Sequence, residues 1–326
     1  HLMDIYVKKA IIHQFSPGDT DLYLADKFLN ITPKIEEYLR KKIERVYSDE
    51  AKTGIFEEDN PFLEMISDDL LETSVVVANR WKEEFVVSEN QKTNDLVFVE
   101  FSKEGVDHFA FLRIALRETL THLGGEVDNP IKLTQNNLPG FGTSADEALV
   151  INLQSRKYHL IEKRIKYNGT FLNYFSENLL QAQPKISPKK SIKALEKTAQ
   201  KIAESFNTDD FQFQSKVKSA IFNHIEEENK LSPEKLADDL FDDNLTARLS
   251  FIDQVKEAVP EPVTFEEIDS SRQLKKFENQ KLSLSNGIEL IVPNNVYEDA
   301  ESVEFILNDN GTYSILIKNI EDIQSK

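Results

Sequence analysis

Apolar and polar residues alternate along Asp4–Phe15, DIYVKKAIIHQF, and a period of two predicts a β-strand. The turn formers Ser16-Pro17-Gly18-Asp19 are expected to end it. From Thr32-Pro33 the period lengthens. Ile35, Leu39, Ile43 and Val46 share one face of KIEEYLRKKIERVY, which predicts a helix with Thr32 as its cap. Residues 60–85, NPFLEMISDDLLETSVVVANRWKEEF, read as a second helical stretch. Two alternating runs, NDLVFVEFSK and GVDHFAFLRIA, meet at Lys103-Glu104-Gly105 and predict a hairpin. EALVINLQSRKYHLIEKRI repeats the pattern around Gln154–Lys157. Antiparallel strands interspersed with helices argue for an α+β fold and against a doubly wound parallel sheet.

The remaining pattern divides the chain into three expected regions. Residues 3–183 form an N-terminal mixed antiparallel-sheet domain with helices. Residues 184–262 form a central helical region, with helices expected from Ser187-Pro188 and over 209–229, 233–241 and 245–258. Pro260-Glu261-Pro262 reads as a linker. Residues 263–326 form a β-rich C-terminal region, with a short helix in TFEEIDSSRQLKKF followed by the strands KLSLS, IELIVP, SVEFILND and TYSILIKNI. Asn286-Gly287 and Asn310-Gly311 mark tight hairpin turns.

Composition sharpens this picture at two points. The 326 residues include no cysteine, so disulfides, thiolate metal sites and cysteine nucleophiles are excluded and a reducing compartment fits. No apolar run approaches the roughly 20 residues of a membrane span, so no membrane association and a cytoplasmic location are expected. His1 and Leu2 before Met3 read as a cloning scar. The sequons at Asn30, Asn168 and Asn244 are then chance matches.

The net charge of -18 hides a segregation. Residues 151–201 hold eleven Lys/Arg against three Asp/Glu, a balance of 11 - 3 = +8, which leaves -18 - 8 = -26 for the rest. Within that segment, PKISPKKSIKALEKTAQK carries six lysines and one acid, Glu196. On a helix starting at Pro188, Lys189, Lys193, Lys197 and Lys201 form one stripe with Lys190 beside it. Ile192, Leu195, Ala199, Ile202 and Phe206 fall nearly opposite. A helix that only solvates a surface mixes charge signs; this one hardly does. Lys185 precedes it, and Arg156, Lys157, Lys163, Arg164 and Lys166 form a second basic cluster upstream. These eleven residues are the candidate DNA contacts, because a row of ammonium groups neutralises phosphates without reading sequence. Ser187–Lys190, SPKK, also resembles a tetrapeptide of basic tails that lie in the minor groove of A·T-rich DNA, although Ser-Pro is equally a helix start. The neighbouring Tyr158, Tyr167, Phe171, Tyr174 and Phe175 are expected in the core, with Phe171, Tyr174, Phe175 and Asn178 at helical spacing.

Catalytic signals are poor. His13, His108, His122, His159 and His224 form no paired metal-ligand spacing. PGFGTSADEA, Pro139–Ala148, has a Gly-x-Gly but no following Gly-Lys-Ser/Thr, so it reads as a loop entering a strand. The acidic runs at Glu57–Asp59, Asp68-Asp69, Glu226–Glu228 and Asp238-Asp239 sit on helices or loops and read as solvated faces. No catalytic residue, metal ligand or cofactor is assigned.

Several stretches resemble the bacterial nucleoid-associated protein family of the YejK/NdpA type: KRIKYNGTFLNYFSENLL, VTFEEI followed by RQLKKF, HFAFLRIALRETLTHLGG and the closing NGIELIVPNNVYEDAESVEFILNDNGTYSILIKN. Where that family shows a Gly-Arg pair before the Phe-rich segment, this chain has Glu162-Lys163-Arg164, with Gly169 following. The resemblance implies a cytoplasmic, nucleoid-located DNA binder with no catalytic residues to carry over. Charge and resemblance together lead to the expectation of a non-enzymatic, largely sequence-nonspecific binder of double-stranded DNA, acting through residues 151–201. Two alternatives stand beside it: an acidic adaptor docking a basic DNA-processing protein, and a metal-dependent nuclease. A homodimer is expected because two-fold dimers are the commonest assemblies.

Overall fold

The computed structural model describes residues 3–16, 22–85, 92–125, 127–128, 130–208 and 210–325. The expected turn at Pro17-Gly18-Asp19 and the first residue of the expected helix at 209 lie outside the described residues. The chain divides after Ser187 into two compact units.

In the first unit the alternating segments form strands β1 (Ile5–Phe15) and β2 (Leu22–Tyr23), then helix α1 (Pro33–Glu44), strand β3 (Lys52–Ile55), and helices α2 (Pro61–Glu64) and α3 (Leu70–Phe85). Strands β4 (Asn94–Lys103), β5 (Val106–Ala115), β6 (Arg117–His122), β7 (Ile131–Asn137), β8 (Glu147–Asn152), β9 (Lys157–Ile161), β10 (Ile165–Tyr167) and β11 (Thr170–Leu172) follow, and a π-helical turn spans Phe175–Leu179. Seven strands make one antiparallel sheet in the order β2-β1-β4-β5-β8-β9-β3.

Both faces of that sheet are covered, and the pleat sorts the side chains. Leu96, Phe98, Phe109, Phe111, Leu149 and Ile151 pack on one face with Trp81 and Phe85 of α3 and Phe175 of the π-turn. Val97, Val99, Ala110, Leu112, Ala148 and Val150 pack on the other with Leu39 and Ile43 of α1. Strand β1 keeps its place in this sorting through a bulge between Val7 and Lys9. The extra residue lets odd-numbered Val7 and even-numbered Ala10 enter the same core layer.

Local chemistry explains most boundaries. Thr32 accepts the amide of Ile35 and caps α1. The expected single helical stretch over 60–85 is two helices. Asn60 caps α2, and Asp69 Oδ1 accepts the amides of Leu71 and Glu72 at the start of α3. Side chains that satisfy backbone amides compete with helix continuation, so Ser67–Asp69 interrupts it. The β4–β5 turn uses Glu104 at φ 53° and Gly105 at φ 80°, the left-handed pair a two-residue turn requires.

The second unit contains α4 (Pro188–Ser205), α5 (Phe211–Glu228), β12 (Lys230–Leu231), α6 (Pro233–Leu240), α7 (Leu245–Val255), β13 (Val263–Thr264), α8 (Ser271–Phe277), β14 (Asn279–Ser283), β15 (Glu289–Pro293), α9 (Asn294–Tyr297), β16 (Val303–Leu307) and β17 (Tyr313–Ile317). The expected boundary at 262 falls inside this unit. Val263, Phe265 and Phe277 share one core with Leu195, Ile221, Leu236 and Phe251, because β13 pairs with β12 and returns the chain to the helices. The β14–β15 hairpin is tied to α5 by buried Gln280, whose amide donates to Ser215 O at 3.0 Å and also to Asn294 Oδ1 at 2.8 Å. Among the described residues, no helix is long and apolar enough to cross a membrane.

Buried charged groups fasten both faces of the first unit. Glu147, fully buried, accepts Arg113 Nε at 2.6 Å, the Tyr174 hydroxyl, and the Lys163 amide at 3.1 Å. Trp81 Nε1 donates to Tyr174 at 3.1 Å, and Arg113 also donates to Asn94. Burial, followed by the Glu147 carboxylate, pushes the Tyr174 hydroxyl well above its ordinary value. On the opposite face Lys42, also fully buried, donates to Gly140 O, Thr143 O and Thr143 Oγ1 at 2.7, 2.5 and 2.9 Å. The Gly-x-Gly stretch is thus a loop fastened by a lysine, and burial pushes that ammonium down to about 8.

Replacing Arg113 by Ala leaves Glu147 as an uncompensated buried charge. We expect a loss of about 3–5 kcal/mol, read as a lower urea midpoint for the first unit. Lys42 gives a pH signature. Its folded value lies below its ordinary 10.5, so between about 8 and 10.5 the unfolded chain holds more protons and stability rises with pH. The unfolding free energy of the native chain, measured relative to Lys42→Met, should therefore increase from pH 8 to pH 10. A difference that stays flat would show that burial does not perturb this ammonium.

Candidate nucleic-acid interface

Helix α4 forms where the 3.6-residue period places it. Ile192, Leu195, Ala199, Ile202 and Ala203 are buried in the core of the second unit, and Lys189, Lys190, Lys193, Lys197 and Lys201 are exposed. Phe206, expected on the apolar face, lies just past the helix end and is partly exposed. From Lys189 to Lys201 the row extends about 18 Å at the helical rise of 1.5 Å per residue.

Of the helix's own acids, one is matched by a cation of another element and one meets only a neutral amide of the same helix. Glu196 pairs with Lys276 of α8 at 3.3 Å, and Glu204 accepts Gln200 at 3.1 Å. Among the described residues, no carboxylate lies within 4.0 Å of Lys193, Lys197 or Lys201. The Glu196 contact links α4 to α8 by one exposed ion pair, and α8 carries exposed Arg272, Lys275 and Lys276. Sequence reasoning missed these three as charge partners of the stripe. The signal was RQLKKF, but nothing in a linear reading joins positions 80 residues apart.

In the first unit the candidates occupy three places. Arg156 sits at φ 62° in the β8–β9 turn and Lys157 begins β9; both are half-buried. Lys163, Arg164 and Lys166 are exposed between the end of β9 and the β10–β11 hairpin. Lys163 Nζ is held by Asp146 at 2.8 Å, so its charge is already matched. Lys185 is exposed and forms a backbone bridge with Thr53 of the edge strand β3.

The acid that stands where a Gly-Arg pair was expected, Glu162, points inward. Its side chain is 1% exposed and accepts Lys52 Nζ at 2.7 Å, the Ser176 amide at 2.9 Å and the Ser176 hydroxyl at 2.7 Å. The aromatic expectation divides. Tyr158, Tyr174 and Phe175 are core residues, as expected. Tyr167 and Phe171 are instead 39% and 58% exposed, because Asn168-Gly169 forms a two-residue turn and Phe171 belongs to a strand.

The other chemistry-bearing groups are accounted for structurally. His13 is buried between Ser74 Oγ at 2.8 Å and the Ala25 amide at 3.0 Å, and burial pushes its pKa down. His159 packs on Tyr47, and His224 contacts Asp239 at 2.6 Å. The four acidic runs are exposed. Among the described residues, no three His, Cys, Asp or Glu side chains are grouped to hold a metal ion. A cleft of about 610 Å³ in the second unit is lined by Glu226, Glu278 and Glu298, so it disfavours an anionic ligand.

The sequence model of the nucleoid-associated protein YejK family matches residues 11–323, and the chain belongs to that family. This is a nucleoid-associated family and not an enzyme family, and membership places the protein at the nucleoid in the cytoplasm. No curated protein matches the chain.

Proposed function

We propose that this nucleoid-associated protein binds double-stranded DNA without strong sequence preference, through Lys and Arg contacts to phosphate. The observation that carries the reading is the α4 row. Lys193, Lys197 and Lys201 stand exposed on a rigid helix, and Glu196, the acid between Lys193 and Lys197, is paired with Lys276 of α8. The first turn of α4 supports it too, with Lys189 and Lys190 and no acid. Cations at a helix N-terminus oppose the macrodipole, and an incoming phosphate relieves that opposition. Arg272 and Lys275 of α8 are further exposed cations of the second unit. Arg156, Lys157, Arg164, Lys166 and Lys185 provide further contacts from the first unit. A homodimer would double the number of basic rows offered to one duplex.

The test is binding to a mixed-sequence duplex as a function of ionic strength. Each engaged phosphate lowers log K by about 0.9 per decade of salt. Replacing both Lys193 and Lys197 by Ala should flatten the slope by about two units, equally for different sequences. An unchanged slope in the double variant would falsify the placement of contacts on α4.

A further inference from the structure

The β10–β11 hairpin carries an aromatic side chain that the fold does not use. Its register pairs Ile165 with Leu172, Lys166 with Phe171 and Tyr167 with Thr170. Directly opposite residues share a face, and neighbours along a strand alternate. Ile165 is buried, with Leu172 packed against the same core, so the face that includes Lys166 and Phe171 points away from it. Phe171 is 58% exposed and, among the described residues, stacks on no other ring. The hairpin tip is stiff, since Asn168 at φ 48° and Gly169 at φ 79° form the tight left-handed turn. The base is stiff too, because the Lys163 amide is fixed to buried Glu147 and the Ser176 amide to buried Glu162.

Charge decides what this face meets. Residues 163–176 contain three basic residues and no acid in a chain of net charge -18, and of the three Lys163 is matched by Asp146. Lys166 stands directly opposite the exposed ring across the hairpin, Arg164 lies two residues before Lys166, and both are exposed. An apolar ring on a narrow ribbon beside cations matches a duplex: the cations meet phosphates, and the ring partly unstacks a base step. We propose that Phe171 is a wedge that inserts at a base step of double-stranded DNA, with Arg164 and Lys166 holding the flanking phosphates. The proposal rests on the DNA-binding reading above. It adds a distortion of the duplex that a row of lysines does not produce.

Two variants of the full chain test it. In the first, Phe171→Ala is compared with the native chain on a duplex of about 30 base pairs carrying a donor and an acceptor dye at its ends. The native chain should kink the duplex, within the 20–90° range of such wedges. Phe171→Ala should lose the kink and about ten-fold in affinity while keeping the native salt slope. In the second, Phe171→Trp adds an exposed indole to a chain whose single tryptophan, Trp81, is fully buried. Its fluorescence should be quenched by the duplex and shielded from iodide. A kink that survives Phe171→Ala, an indole still open to iodide in the bound complex, or quenching by single strands alone would each overturn the wedge. If the native chain fails to bind the duplex at low salt, the DNA-binding reading falls first and the wedge with it.

Discussion

A carboxylate removed from water must find donors, and Glu147 and Glu162 find theirs in ways that organise the first unit. Glu147 draws on Arg113 of β5, Tyr174 and the Lys163 amide. Glu162 draws on Lys52 of β3 and on Ser176. In each case the backbone of the basic segment provides donors that a buried charge needs. The segment is thereby pulled onto the sheet by its main chain, and the Arg164 and Lys166 side chains are left to face solvent. The buried pair itself adds little net stability, since desolvation offsets most of its Coulombic gain. Its consequence is geometric: it fixes where the hairpin stands and which way it faces.

The second unit reaches the same separation of charge by different means. Helix α4 has a face wide enough to bury five apolar residues, so its lysines have one direction left. Glu196 could neutralise Lys193 or Lys197 from within the helix, yet Lys276 of α8 holds it. An exposed ion pair of this kind contributes at most about 1 kcal/mol. It matters here because the acid between Lys193 and Lys197 is matched by a cation from another element, so the positive field of those two lysines is not cancelled locally.

The sequence made the regular elements legible and the small turns less so. Strands β4, β5 and β8 show as apolar runs between turn signals, nearly continuous because both faces of the sheet are covered. The row on α4 was equally readable, since four-residue spacing leaves one geometry. Phe171 shows what was lost. Phe171, Tyr174, Phe175 and Asn178 have helical spacing, but Asn168-Gly169 is the same turn signal as Asn286-Gly287 and Asn310-Gly311. Two left-handed residues outweigh a spacing that four positions meet by coincidence. Strand β3 and the β6–β7 hairpin were missed for another reason. Lys52–Ile55 is too short to show a period, and the β6–β7 side chains are mostly exposed, so no core imprints alternation on them. The partnership of α4 with α8 is a tertiary contact, which no local pattern encodes.

An acidic protein that approaches a polyanion faces opposing fields with different reach. The acids spread over its surface repel a duplex from a distance, but screening limits that repulsion to about 8 Å at physiological salt. In the proposed mode of binding the α4 row would act at contact, where neutralising a phosphate releases a condensed counterion whatever the net charge of the protein. Added salt therefore weakens two opposed terms together, and the distant repulsion is screened before the contacts are lost. The native slope must then be shallower than its number of phosphate contacts alone would give. Differences between variants escape this masking, because the repulsive field is nearly the same in each. An overall negative charge is thus compatible with a phosphate-binding face, provided that carboxylates beside its lysines are matched by other cations, as Glu196 is by Lys276.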